Sequence, residues 1–167
     1  MSSSINNPAS GVPLIRITGE SGSGKTTLLE QLLPRLKARG IKAGVIKHAH
    51  HGFDLDRPGK DSWRYAQAGA QAVALIGPSR AAWFTETPQE LSAQEVAHRL
   101  GGDLDLILVE GFKRDPGPRV QMTPGATQRM GVTQELCQVG VFADQLTDEE
   151  WDRIIDFLKE MSYVTHR

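Results

Sequence analysis

Apolar positions along the chain form short β-rich runs separated by stripes at helical spacing. The run from Leu14 to Thr18 predicts a first strand that ends at a glycine. Between Thr27 and Arg39 the leucines recur three and four residues apart, which predicts a helix. The same patterns predict further strands at 43–47, 73–76, 81–85, 104–109 and 138–143, and further helices at 61–68, 92–100 and 147–161. Strands that alternate with helices indicate the α/β class.

Composition and charge indicate which partners and which cellular setting the chain is suited to. The 167 residues carry 19 basic and 20 acidic side chains, so no basic excess points to nucleic acid or to a membrane surface. No apolar run reaches the length of a membrane span, and the single Cys137 rules out an internal disulfide, which favours a cytoplasmic setting. The Ser/Asn/Pro-rich residues 1–11 lack the features of a signal peptide and read as a disordered tail, followed by one domain over 12–167.

A complete phosphate-binding pattern follows the first strand. The segment Gly19-Glu20-Ser21-Gly22-Ser23-Gly24-Lys25-Thr26 satisfies G-x-x-x-x-G-K-[ST], and Thr27 extends the expected nucleotide-binding set. Glycines let consecutive N–H groups point at a phosphate tail, and the next helix adds its positive end. Lys25 can supply a cation to the β and γ phosphates, and the Thr26 hydroxyl can ligate Mg²⁺. The pattern predicts a three-layer P-loop NTPase fold, with a mostly parallel sheet and helices on both faces.

The apolar run 104–109 ends at Glu110 and resembles a Walker B strand buried on both faces. Ligands of open α/β sheets lie at the carboxyl ends of strands, where Glu110 falls. Asp105, five residues earlier, lies roughly 16 Å away along an extended strand. We therefore expect Glu110 near the Mg²⁺, either binding the ion through water or orienting an attacking water. A strand-end glutamate that only faces solvent is the alternative.

Three of the five histidines fall in the loop that follows the second predicted strand. One interpretation of this histidine loop is a transition-metal site. A second is a switch loop that senses the γ-phosphate, and a third is a solvated polar loop. The candidates are His48, His50, His51, Asp54 and Asp56, of which Asp54 is the expected Mg²⁺ ligand through water.

Beyond Glu110 the chain is rich in proline, glycine and arginine up to Thr133. This stretch looks mobile and contains four cationic side chains, Lys113, Arg114, Arg119 and Arg129. They could close over a nucleotide or bind an anionic second ligand, or could simply be solvated. Asp144 follows the last predicted strand, and its carboxylate could accept two hydrogen bonds from guanine. The usual N/T-K-x-D guanine signature is absent from the chain.

Five segments carry a further pattern: Gly19 to Thr27, Val45-Ile-Lys-His-Ala-His-His51, Asp56-Arg-Pro-Gly-Lys-Asp-Ser62, Ala68-Gly-Ala70 and Asp105-Leu-Ile-Leu-Val-Glu-Gly-Phe-Lys113. Together these segments resemble the MobB family of molybdopterin-guanine dinucleotide biosynthesis adaptors. The resemblance implies a homodimeric GTP-binding protein with weak GTPase activity. It also implies partnership with MobA, the enzyme that joins GMP to molybdopterin.

Three functions follow from these patterns. The first is a Mg²⁺–GTP-binding adaptor with slow hydrolysis, in which Lys25 stabilises charge on the transferring phosphoryl group and Glu110 or the histidine loop places the water. The second is a small-molecule or nucleotide kinase with the stretch from Lys113 to Arg129 as its lid. The third is a nucleotide-binding module that does not hydrolyse its ligand.

Overall fold

The computed structural model describes residues 11–50, 52–53, 56–100, 102–112 and 114–164, with Val164 described by its backbone alone. The chain divides into two compact units, a larger one of Met1–His48 with Ser92–Arg167 and a smaller one of Ala49–Leu91. The tail predicted at 1–11 lies, apart from Gly11, outside the described residues. The single domain expected over 12–167 stays a prediction.

A six-stranded sheet forms the centre of the larger unit. Its strands are β1 (Leu14–Gly19), β2 (Ala43–Lys47), β5 (Leu106–Glu110), β6 (Arg119–Met122), β7 (Met130–Val132) and β8 (Leu136–Val139). They lie in the order β2-β5-β1-β6-β8-β7, and every neighbouring pair is parallel except β7 with β8. The parallel strands bring their carboxyl ends to one edge of the sheet.

Helices cover both faces of this sheet, as the sequence predicts. The larger core packs α1 (Lys25–Ala38) and α4 (Asp148–Val164) on one face, through side chains such as Leu32, Ile154 and Leu158 that are fully buried. The smaller core packs α3 (Ala93–Leu100) on the other face. Cys137 lies in the larger core, where burial raises the pKa of its thiol to about 11, so it behaves as a small apolar residue.

A capping box, with the pattern S/T-x-x-E, begins each of the helices α3 and α4. Ser92 N donates to Glu95 Oε2 at 2.8 Å and Glu95 N donates to Ser92 Oγ at 3.3 Å, just before α3. Before α4, Thr147 N donates to Glu150 Oε2 at 2.9 Å and Glu150 N donates to Thr147 Oγ1 at 3.3 Å. Each box satisfies backbone N–H groups that a helix start leaves without partners.

The smaller unit contains α2 (Asp61–Gln67) and the antiparallel pair β3 (Ala72–Ile76) and β4 (Ala81–Thr85). The helix predicted at 61–68 and the strands predicted at 73–76 and 81–85 are thereby confirmed. The residue at the N-cap of α2 is Lys60, and its side chain makes no capping hydrogen bond. Among the described residues, no helix has both the length and the apolar character needed to cross a membrane.

The stretch 111–133, whose composition suggests a mobile segment, contains two strands. The stretch contributes β6 and β7 to the sheet, and β6 lies directly against β1. Arg119 begins β6, where its Nη2 donates to the Asp115 carbonyl at 3.2 Å, and Arg129 is bound to Glu150. The kinase hypothesis, which uses the stretch from Lys113 to Arg129 as a lid, stays a prediction, and Lys113 lies outside the described residues.

The strand predicted at 138–143 is β8, which ends earlier, at Val139. The chain beyond β8 turns into the 3-10 turn Ala143–Gln145 instead of continuing the sheet.

The Arg129–Glu150 pair generates a stability prediction. The Arg129 guanidinium donates to both carboxylate oxygens of Glu150, at 3.0 and 2.9 Å. These hydrogen bonds, together with the one from the Thr147 N–H, lower the pKa of Glu150 from 4.5 to about 2. This pair stabilises the fold above pH 4.5, and the contribution is lost as the pH falls toward 2. Glu150→Gln keeps the capping geometry but removes the charge, and we expect it to lower the free energy of unfolding by about 1 kcal/mol at pH 7.

Urea unfolding from pH 7 to pH 3 measures this difference. The gap between wild type and Glu150→Gln should shrink below pH 4.5, while the control Glu149→Gln, an exposed change in the same helix turn, should stay within a few tenths of a kcal/mol of wild type. A gap that is constant with pH would contradict the ion pair.

Candidate functional site

The carboxyl edge of the sheet brings two predicted features together. In the strand register, Glu110 pairs with Ile17 of β1 on one side and with Lys47 of β2 on the other. Gly19 ends β1 and opens the loop that leads into α1. The phosphate-binding pattern and the acidic strand end therefore lie on neighbouring central strands.

The loop from Gly19 to Gly24, which we call the P-loop, is shaped by backbone that only glycine adopts easily. Gly19, Gly22 and Gly24 have φ values of 145°, 76° and 88°. A Cβ on Gly19 would lie 2.5 Å from Ser23 Oγ and 2.7 Å from the Met122 carbonyl oxygen. The position has no room for a side chain, so the first glycine of the pattern is required by packing as well as by conformation.

The end of the P-loop leaves the start of α1 open to a ligand. Gly24 is the N-cap and has no side chain, so it gives no side-chain cap to the backbone N–H groups of the first turn. Lys25 Nζ reaches back and donates to the carbonyls of Gly19 at 3.1 Å and Glu20 at 2.7 Å. The ammonium group thus spans the loop toward its beginning. This combination of amide groups and one cation suits an anionic phosphate tail.

Two hydroxyls at the P-loop are buried without a hydrogen-bond partner among the described residues. Thr18 is 6% exposed and Ser23 is 7% exposed, and the Oγ1 and Oγ atoms concerned make no hydrogen bond within that part of the chain. Buried hydroxyls normally have partners, so these two oxygens are candidates for hydrogen bonds to a ligand or to water. The predicted residues Glu20, Ser21, Thr26 and Thr27 are exposed on the same segment.

Glu110 is largely shielded from solvent and lies beside a cation. Its side chain is 14% exposed, and Lys47 Nζ lies 3.8 Å from its Oε2. Asp105 belongs to the other end of the strand, where its carboxylate accepts from the Lys42 backbone N–H at 2.7 Å. The choice of Glu110 over Asp105 therefore agrees with the strand direction. Sequence reasoning did not identify Lys47 as the partner of Glu110.

The residues just after Glu110 are tightly fitted against His48. His48 N donates to the Glu110 carbonyl at 2.8 Å, and a Cβ on Gly111 would lie 2.5 Å from His48 Cβ. The rings of His48 and Phe112 stack with centroids 4.2 Å apart, and Phe112 holds a left-handed φ of 46°. Strained backbone that is fixed by such packing is typical of functional loops.

The remaining histidine-loop candidates are divided. His50 is exposed, and Asp56 lies in the smaller unit. Asp56 accepts from Ser62 Oγ at 2.5 Å and from Arg57 N at 2.7 Å, and these two bonds lower the pKa of its carboxyl. His51, Asp54 and Lys113 lie outside the described residues. The described part of the chain contains no group of three or more His, Cys, Asp or Glu that could hold a metal, and the metal and switch interpretations stay predictions.

Asp144 lies in the 3-10 turn that follows β8, and it is exposed there. The turn is close to the P-loop, because the Phe142 ring lies 3.4 Å from the position that a Cβ on Gly24 would occupy. Sequence reasoning placed Asp144 after a strand at the carboxyl edge but overlooked Phe142. The sequence does show that an aromatic residue, Phe142, stands two positions before Asp144, the residue predicted to bind the base.

Comparison with known proteins agrees with this geometry. The MobB family, described as molybdopterin guanine dinucleotide synthesis protein B, matches residues 14–143. A molybdopterin-guanine dinucleotide biosynthesis adapter protein of Haemophilus influenzae is 52% identical over 110 residues, which cover 65% of this chain and 62% of the relative. The protein of the same description from Escherichia coli is 50% identical over 107 residues, covering 62% and 61%. The match thus spans less than two thirds of these relatives.

The solved structures point to the same family. The crystal structure of Bacillus subtilis MobB has a TM-score of 0.65 and 26% identity, and the match covers 87% of this chain and 97% of that one. The shared part includes the α/β architecture with its mostly parallel sheet. With a family match that runs from β1 to the 3-10 turn beside the P-loop, the chain belongs to the MobB family.

Proposed function

We propose that the chain binds GTP with Mg²⁺ at the P-loop and hydrolyses it slowly. The observation that carries the proposal is the P-loop itself, with its three left-handed glycines, the open N-terminus of α1 and the Lys25 ammonium group. The Thr18 and Ser23 hydroxyls support it, because these buried oxygens have no hydrogen-bond partner in the described part of the chain and can therefore bond to a ligand at the loop.

Mg²⁺ fits the chemistry of the residues at this edge. The Thr26 hydroxyl would ligate the ion directly, and Glu110 would hold one of its waters or orient the water that attacks the γ-phosphate. Lys25 and the backbone amides would stabilise charge on the transferring phosphoryl group. No arginine lies within Gly19–Thr27, which is consistent with slow hydrolysis in the absence of a partner.

Family membership supports the rest of the proposal. The relatives named above are described as adapter proteins of molybdopterin-guanine dinucleotide biosynthesis. We infer that this chain assists the attachment of a guanine nucleotide to molybdopterin, as a homodimer that works with a MobA-type guanylyltransferase. Guanine is the base we assign, with Asp144 as its reader, since a carboxylate accepts from both N1–H and the 2-amino group.

Lys25→Ala tests the phosphate part of the proposal. Charge-assisted hydrogen bonds from an ammonium group to phosphate are strong, so we expect the affinity for Mg²⁺–GTP to fall roughly 100-fold while the fold persists. Isothermal titration calorimetry measures the affinity, and thermal unfolding checks the fold. Lys37→Ala, at an exposed position near the end of the same helix, is the matched control and should bind as wild type does. Equal affinity of Lys25→Ala and wild type would refute the proposed loop geometry.

Asp144→Asn tests the choice of base. An asparagine can donate its amide to the 2-carbonyl of xanthine but repels the 2-amino group of guanine. We expect GTP affinity to fall at least about tenfold and xanthosine triphosphate affinity to rise, with ATP affinity unchanged. Phosphate release measured with the same nucleotides should follow the same preference. If wild type bound ATP tenfold better than GTP, the guanine assignment would be wrong even though the P-loop remained a nucleotide site.

A further inference from the structure

Phe142 is an exposed aromatic residue at the edge of the P-loop. It is 45% exposed, although its neighbours Val139 and Ala143 are 0% and 2% exposed. Its Cδ1 atom lies 3.4 Å from where a Cβ on Gly24 would be. What sets this ring apart is its position, because an aromatic face beside an anion-binding loop can contact the base of a nucleotide that the loop holds.

The turn that carries Phe142 is fixed by hydrogen bonds at both ends. Phe142 N donates to Gln145 Oε1 at 3.3 Å, and Gln145 N donates to the Phe142 carbonyl at 3.0 Å. Arg129 Nη2 donates to the Gln145 carbonyl at 2.9 Å and is itself held by Glu150. The turn is therefore prepared before any ligand binds, which lowers the entropy cost of using it as a binding surface.

The direction of Lys25 indicates which way a nucleotide would lie. Its ammonium group bonds to the carbonyls of Gly19 and Glu20, at the start of the P-loop. The terminal phosphates that this cation attracts would lie there. The sugar and base then leave from the other end of the loop, where Gly24 opens α1 and the Phe142 ring lies.

We propose that Phe142 is the stacking platform for the nucleobase, forming with Asp144 a base subsite on one rigid turn. The assignment rests on the proposed nucleotide binding and adds a residue to it. The flat face of the ring stacks on the purine, and Asp144, two residues later, reads the base edge. Stacking is tolerant of base identity, so Phe142 supplies affinity and Asp144 supplies selectivity.

Calorimetric titration of four Phe142 variants and one control variant tests the assignment, with Mg²⁺–GTP, Mg²⁺–ATP and inorganic tripolyphosphate as ligands. Phe142→Ala and Phe142→Leu remove the aromatic face, and Leu keeps apolar volume against Gly24. Phe142→Tyr and Phe142→Trp keep an aromatic face. Tyr163→Leu, a change at a 73% exposed aromatic residue on α4, is the matched control.

We expect the Ala and Leu variants to lose roughly 5- to 150-fold in affinity for GTP and ATP alike. Tripolyphosphate affinity should stay unchanged in all variants, and the Tyr, Trp and control variants should bind nucleotides within about threefold of wild type. Because tripolyphosphate occupies only the loop, its unchanged binding also shows that the P-loop remains folded.

Three results would overturn the assignment. Wild-type nucleotide affinity in Phe142→Leu would show that the ring does not stack, while leaving nucleotide binding itself intact. Parallel loss of tripolyphosphate binding in the Ala and Leu variants would show that the ring shapes the P-loop instead. If the wild-type chain bound neither GTP nor tripolyphosphate, the proposed function would be overturned together with the stacking role.

Discussion

The close approach of β1, the P-loop and β6 at Gly19 is the constraint on which the site depends. A single added carbon there would meet Ser23 Oγ and the Met122 carbonyl oxygen within 2.7 Å. Because Met122 ends β6, this contact sets the P-loop directly against the neighbouring parallel strand. The loop that starts from this fit passes through the positive φ values of Gly22 and Gly24 and leads into α1, whose Lys25 bonds back to the Gly19 carbonyl.

The same edge of the sheet joins elements that are far apart in sequence. Glu110 and Lys47 meet because β5 lies between β2 and β1. The 3-10 turn meets Gly24 because β6 and β8 extend the sheet on the other side of β1. The Arg129–Glu150 pair then ties this turn to the start of α4, so an ion pair away from the P-loop contributes to the shape of the proposed base subsite.

Local features could be predicted well from the sequence, whereas features that depend on contacts between distant residues could not. The P-loop, the capping boxes and β5 were predictable because each depends on a contiguous pattern of residues. The strands β6 and β7 were missed because each is only three or four residues long within a Pro/Gly-rich stretch, and pairing with β1 and β8 is what orders them. Lys47 and Phe142 were missed for the same reason, since the contacts that give them importance join distant parts of the chain.

The central claim is that the P-loop amides wrap a triphosphate, and an amide-resolved titration tests it most directly. In ¹H–¹⁵N spectra recorded with increasing Mg²⁺–GTP, the account predicts that the largest shift changes fall on residues 19–27, because their N–H groups would donate to phosphate oxygens. Unchanged resonances for those residues at millimolar nucleotide would contradict the account.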